Sequence, residues 1–317
     1  MAKESGSTSM EVPPPEPPPS NRTGVDADQP RPTSDWARTG RKNLLIWVAI
    51  GFLLPGVIAY LFFPILRHKV SVLTIQDELP IKAIMASFMI LATWVVSRRE
   101  HRPLDDYGLP LRQAFGSRFW EGALWGFAML SLVLLPIWAT GHFHVDSAAL
   151  TGAAVFRYAL GWALVFLAVS IGEELSFRGY WLFLMSRRVG FWRSALFLSI
   201  IFGVAHLGNN GENILGILQV FAVGMLFCFT IRRTGTLWFA LGFHAAWDWA
   251  ETFFYGTPDS GLLGVGRLLN TSVQGPAWLT GGSAGPEGSI LVFLVLLFCA
   301  LLIHFRFPNV IYPDRPL

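Results

Sequence analysis

The feature that most limits what this chain can fold into is a series of apolar runs, each about as long as a bilayer is thick. A helix needs about 20 mostly apolar residues, with a range of roughly 17–25, to cross the hydrocarbon core. Segments 44–66, 81–97, 120–140, 153–173, 191–207, 213–231, 235–254 and 288–305 qualify. In lipid the backbone has no water to bond, so such runs fold as helices that satisfy themselves internally. The expected fold class is all-α, a polytopic transmembrane helical bundle of about eight spans. Composition agrees: hydrophobic residues make up 53% of the 317, charged residues 14%, and mean hydropathy is +0.47, whereas a soluble domain carries about 25% charge. A soluble enzyme, a disordered chain and a nucleic-acid binder are excluded. The net charge of +3 and pI near 9.0 belong to basic flanks of membrane helices, with no nucleic-acid partner implied.

Residues 1–40 contain EVPPPEPPPS at 11–20, with further prolines at Pro30 and Pro32. Such a segment cannot bury enough apolar area to fold, and it reads as a disordered cytoplasmic tail. Residues 41–307 form the transmembrane domain and 308–317 a short C-terminal tail. With both termini in the cytoplasm and each span crossing once, most of the 24 Lys and Arg residues, Arg178 among them, fall on the cytoplasmic side. Arg67, Lys69, Lys82, Arg157 and Arg267 fall on the other. That is the positive-inside pattern. The polar segment 100–119 is expected along the cytoplasmic face. Segment 255–287, rich in Gly, Ser, Thr and Pro, is expected to join spans seven and eight outside. Cys228 and Cys299 sit in apolar runs as small buried hydrophobes.

Ionisable residues inside a membrane are costly and mark function, and three groups of polar residues stand out. In the first, Glu173 and Glu174 follow WALVFLAVSIG without a break, with Arg178 beyond. Glu174 and Arg178 are four apart, so they share a helical face and can pair. That pairing makes Glu174 a brace. Glu173, turned by about 100°, lacks that partner and is the better proton acceptor. The second group is Phe202–Gly203–Val204–Ala205–His206, followed by Asn209, Asn210 and Asn213. The third is His244–Ala245–Ala246–Trp247–Asp248, where His244 and Asp248 share a face. The plainer readings are an interfacial cap for the first, an interfacial histidine for the second and a polar packing link for the third.

Depth can be checked by counting. If spans four and five turn near Gly190, Glu173 lies 17 residues before the turn and His206 lies 16 after it. At about 1.5 Å per residue both are roughly 25 Å from the turn. This predicts one long fourth helix running to about residue 188. His244, nine residues past Gly235, matches less well unless the turn between spans six and seven is buried more deeply. The groups then permit two chemistries. Glu173 with His206 can deprotonate a water while His244 and Asp248 face the carbonyl. Alternatively Glu173, His206 and His244 can bind zinc, although no HExxH is present.

Taken together, the motifs Glu173–Glu174–Arg178, Phe202–His206 and His244–Asp248 resemble the signature EExxxR, FxxxH and HxxxN/D of the CPBP intramembrane proteases. These are also called the CAAX-protease and bacteriocin-processing, or Abi, family. The likeness covers roughly 120–255. It implies that Glu173 and His206 activate water, that Glu174 and Arg178 support the site, and that His244 and Asp248 stabilise the oxyanion. The family is regarded as metal-dependent, though a metal-free glutamate mechanism has also been argued, so the resemblance leaves open a divalent metal such as zinc or none. The expected protein is a membrane-embedded protease of a bacterial plasma membrane, acting on a peptide or membrane-associated protein substrate. The alternatives are a non-catalytic scaffold or bacteriocin self-immunity protein on the same fold and, more weakly, an ion-coupled transporter.

Overall fold

The computed structural model describes residues 33–62, 72–209 and 214–312. Most of the proline-rich tail, Arg67 and Lys69, Asn210 and Asn213, and residues 313–317 lie outside the described residues. Helix α1 (Thr33–Val48) passes through a π-helical turn (Ala49–Leu53) into α2 (Leu54–Phe62). It starts inside the segment expected to be tail. Then come α3 (Ile75–Glu100), α4 (Ser117–Ala139), α5 (Ala153–Arg178), α6 (Tyr180–Val189) and α7 (Phe191–Ala205). They are followed by α8 (Ile214–Thr234), α9 (Trp238–Trp249) with a π-helical extension (Ala250–Tyr255), the single turn α10 (Ala277–Thr280) and α11 (Leu291–Arg306).

Among the described residues, each expected span holds a helix. Among the described residues, five helices are long and apolar enough to cross a membrane: Gly40–Ile58, Ile75–Glu100, Ser117–Ala139, Ala153–Val189 and Ile214–Thr234. Phe191–Ala205 and Leu291–Arg306 are shorter. Large apolar side chains line the outside, such as Phe156, Leu160 and Leu164 on α5 and Leu294, Leu297 and Leu301 on α11. A soluble protein would not expose stripes of this kind, so this is an integral membrane protein.

Local chemistry fits the helix ends. Thr74 caps α3 by accepting the Asp77 N–H at 3.2 Å, with Asp77 and Glu78 in the first turn and Arg98 and Arg99 in the last. Both charge placements favour the helix dipole. The fourth expected helix breaks at Gly179, whose φ and ψ of −84° and −120° leave the helical region. A Cβ there would meet the Leu175 carbonyl at 2.7 Å.

The most extensive helix contact is between α4 and α9. A Cβ on Gly122 or Gly126 of α4 would stand 2.1 Å from the carbonyl of Phe239 or Phe243, and one on Gly242 of α9 would stand 2.0 Å from that of Phe119. Small residues spaced by four let helix backbones touch, which is how membrane helices gain packing where lipid supplies no hydrophobic drive.

Loops gather at two ends. At one end, strand β2 (Phe143–Ala148) pairs antiparallel with β4 (Leu269–Val273), and β1 (Val72–Leu73) pairs parallel with β3 (Leu263–Gly264). These ribbons fold the 255–287 segment over the bundle. At the other end, residues 104–113 cover the turn between α8 and α9. The Leu237 N–H donates to the Gly108 carbonyl at 2.8 Å and the Trp238 indole N–H to the Pro110 carbonyl at 3.1 Å. Segment 100–119 therefore caps that turn at one end of the bundle.

Candidate active site

Three helices deliver the site. Arg178 ends α5, and its guanidinium donates to Glu174 Oε1 across 3.1 Å, with both side chains fully buried. The guanidinium also lies over the Phe202 ring, 4.0 Å from its centroid. Gly224 of α8 makes room for it: a Cβ there would be 2.6 Å from Arg178 Nη2 and 3.0 Å from Ser199 Oγ. Arg178, counted with the basic flanks from sequence, is thus an interior residue, and helical structure continues past it to Val189 as the residue count predicted. Ser176 bonds its hydroxyl to the Gly172 carbonyl at 2.6 Å, inside its own helix.

His206 lies at the C-terminal cap of α7. Its Nδ1 is 2.8 Å from the Phe202 carbonyl. A carbonyl only accepts, so Nδ1 carries the proton and, in the neutral ring, Nε2 presents a lone pair. That Nε2 is 4.0 Å from Glu173 Oε2. His244 of α9 places Nδ1 3.0 Å from Glu174 Oε1. Its Nε2 is 3.4 Å from Asp248 Oδ2 and 3.8 Å from Glu173 Oε2. The six expected residues are therefore in one group. His244 meets Glu173 and Glu174 at 3.8 and 3.0 Å, and the α8–α9 turn before it is covered, with Leu237 inaccessible and bonded to Gly108.

The group faces a cavity of about 330 Å³ lined by Glu173, His206, His244 and Asp248 together with aromatic walls from Phe202, Phe243 and Trp247. Asn209 and Gln219 also reach it. Toward the loop end it is lined by Asp259 and Glu287. Outside the spans, burial and the charge of Asp248 push the Asp259 carboxyl up to about 8, against the hydrogen bond from Thr252 and the charge of Lys82.

Glu173, His206 and His244 do not fit a zinc ion as they are held. Zinc keeps N and O donors at about 2.0–2.2 Å, which brings neighbouring donors to within roughly 3.5 Å of each other. Here Glu173 is 4.0 and 3.8 Å from the two imidazoles, and the three donor atoms do not all come within 4.8 Å of one another. Among the described residues, the acidic or imidazole set whose donor atoms all lie within 4.8 Å of one another is a different one, Glu251, Asp259 and Glu287. Reading by motif missed that set. Glu251 could have been found, since it is a carboxylate three residues past Asp248 at the end of an apolar run. Asp259 and Glu287 carry no signal in a polar loop.

Comparison with known proteins agrees with the motif reading. The chain is 26% identical over 255 residues to a protein of Bacillus subtilis (strain 168) named "Uncharacterized protein YyaK", covering 73% of this chain and 83% of that one. The stretch that carries all three motifs, residues 156–250, matches the Rce1-like family, described as type II CAAX prenyl endopeptidase Rce1-like, in agreement with the resemblance to the CAAX proteases.

Proposed function

We propose that this protein is an intramembrane endopeptidase that hydrolyses peptide bonds at or near the membrane, with its active core within about 120–255. The observation that carries the reading is the 4.0 Å gap between Glu173 Oε2 and His206 Nε2 at the wall of the cavity. That gap is too long for a direct hydrogen bond and has the width for one water at about 2.8 Å from each atom.

Glu173 is the general base. Its carboxylate takes a proton from the water, and the resulting hydroxide attacks the scissile carbonyl carbon. The His206 lone pair orients that water, because its Nδ1–H is committed to the Phe202 carbonyl. The same Glu173 then returns the proton to the leaving amine as the C–N bond breaks. His244 turns Nε2 to the cavity, and with both ring nitrogens protonated it donates to the developing oxyanion. Glu174 and Asp248 stand on either side of that ring and balance its charge. Asp248 orients His244 instead of donating itself. Arg178 keeps Glu174 in place.

The test uses the purified chain in proteoliposomes with quenched-fluorescence peptides, prenylated and unprenylated, and mass spectrometry of the products. Cleavage that disappears in Glu173→Gln and in His206→Ala, while both variants insert and fold, supports the reading. Cleavage that survives both variants overturns it.

A further inference from the structure

The cluster of Glu251, Asp259 and Glu287 takes no part in this chemistry. One ligand atom from each lies within 4.8 Å of the others. Glu251 is completely buried, and neither of its carboxylate oxygens accepts a hydrogen bond. The indole N–H of Trp247 acts on both Glu251 and Glu287, but its hydrogen bond goes to Glu287 Oε1 at 3.2 Å. Asp259 accepts from the Thr252 hydroxyl at 3.1 Å. A fully buried carboxyl turned toward two others, with no donor of its own, is the arrangement a protein interior avoids unless something satisfies it.

The surrounding backbone is built to hold these groups together. Glu251 lies in the π-helical extension of α9, and such turns recur at functional sites. Gly285 (φ +97°) brings the loop before α11 against it: a Cβ there would be 2.0 Å from the Pro258 carbonyl and 3.0 Å from Glu251 Oε1. Three chain segments therefore converge: the end of α9, the loop that follows, and the turn before α11.

We propose that Glu251, Asp259 and Glu287 bind a divalent cation of the hard, oxygen-seeking class, with calcium the best match, and that this ion pins the 255–287 segment to the rim of the cavity. The donor set is all carboxylate oxygen, which selects calcium, magnesium or manganese over softer metals. Calcium sits about 2.3–2.6 Å from its ligands and spans donors up to roughly 5 Å apart. Magnesium demands near-ideal octahedral geometry and keeps several of its waters, so a set of protein carboxylates held by three chain segments suits it less. Asp259 and Glu287 also line the cavity, so ordering them shapes the substrate's approach without placing the ion on the water-activating pair. The inference stands whether or not the protease reading does.

The full-length protein in detergent, stripped with chelator, is titrated with calcium, magnesium and manganese. Bound metal per chain and the thermal unfolding midpoint are measured. The expected result is one saturable calcium per chain with a raised midpoint. Binding weakens at least tenfold in Glu251→Gln and in Glu287→Gln and is unchanged in Glu173→Gln. In chelator both cluster variants unfold at or above the wild-type temperature, because they remove crowded buried charge. Should Glu251→Gln fail to fold, Glu287→Gln and Asp259→Asn decide. No saturable binding of any of the three ions up to millimolar concentration overturns the proposal. So does retention of binding in the cluster variants, or loss of binding in Glu173→Gln, which assigns the ion to the other site.

Discussion

Arg178 and Glu174 meet at 3.1 Å with no part of either side chain exposed. Two buried charges are tolerable only because each answers the other, since desolvation costs several kcal/mol per ion. The pair does more than offset that cost. Glu174 Oε1 also faces His244 Nδ1 at 3.0 Å, so the arginine on α5 fixes, through one oxygen, the imidazole on α9.

Removing Arg178 therefore leaves an uncompensated carboxylate in the bundle. Arg178→Ala is expected to destabilise by about 3–5 kcal/mol, the usual result of breaking a buried pair from one side. The double variant Glu174→Gln/Arg178→Met removes both charges and is expected to recover most of that loss, while activity stays low because His244 loses its anchor. Unfolding in mixed micelles, read beside peptide cleavage, separates the two effects. If the double variant were as unstable as Arg178→Ala, the buried charge would not be the cause.

Glu173 behaves differently. It is partly exposed, and the two imidazoles lie 4.0 and 3.8 Å from it. Glu173→Gln keeps its size and is expected to leave the unfolding midpoint within a degree or two. As a general base it contributes about 10²–10⁴-fold, so kcat should fall by that much with KM little changed. His206→Ala is expected to act in the same direction. A loss of stability parallel to the loss of rate would reduce Glu173 to a packing residue.

The helices and the level of the site were legible because both follow from regular geometry. Apolar runs of span length must be helical, and Glu173 and His206 sit 17 and 16 residues from Gly190, so a near-constant rise per residue brings them together. The parts that were not legible depend on where the backbone stops being regular. Arg178 was counted among the basic flanks by charge alone, although the residue count already carried the fourth helix past it and the i,i+4 spacing already paired it with Glu174. The break at Gly179 is a single backbone torsion with no pattern in apolar residues. The cover that residues 104–113 place over the α8–α9 turn is a contact between segments 128 residues apart. The Glu251 cluster depends on a loop of glycines whose path no periodicity describes.

The contact between α4 and α9 is the next point of test. Gly126→Ala puts a methyl 2.1 Å from the Phe243 carbonyl, and Gly242→Ala does the same against Phe119 at 2.0 Å. Backbone cannot yield as a side chain can, so the helices must separate, at an expected cost of about 1–3 kcal/mol, as for overpacking in other cores. Because α9 carries His244 and Asp248, cleavage should fall more steeply than stability. Gly56→Ala, where an added Cβ meets nothing within 4 Å, is the control and is expected to change neither.

Gly224 offers a sharper test of how α8 serves the site. A methyl there would come within 2.6 Å of Arg178 Nη2 and 3.0 Å of Ser199 Oγ. A guanidinium tip can usually swing aside, but this one is confined between the Phe202 ring at 4.0 Å and Glu174. Gly224→Ala is therefore expected to push Arg178 off Glu174 and to lower cleavage through the loosened His244. Shortening the base with Arg178→Lys returns space, so the double variant should be less impaired than the sum of the two single changes. Contacting residues show coupling of about 0.5–3 kcal/mol of either sign, and a cycle on unfolding free energy reads it directly. Strict additivity would mean that the methyl is absorbed elsewhere, by Ser199 or by a shift of α8, and that Gly224 has no part in seating Arg178.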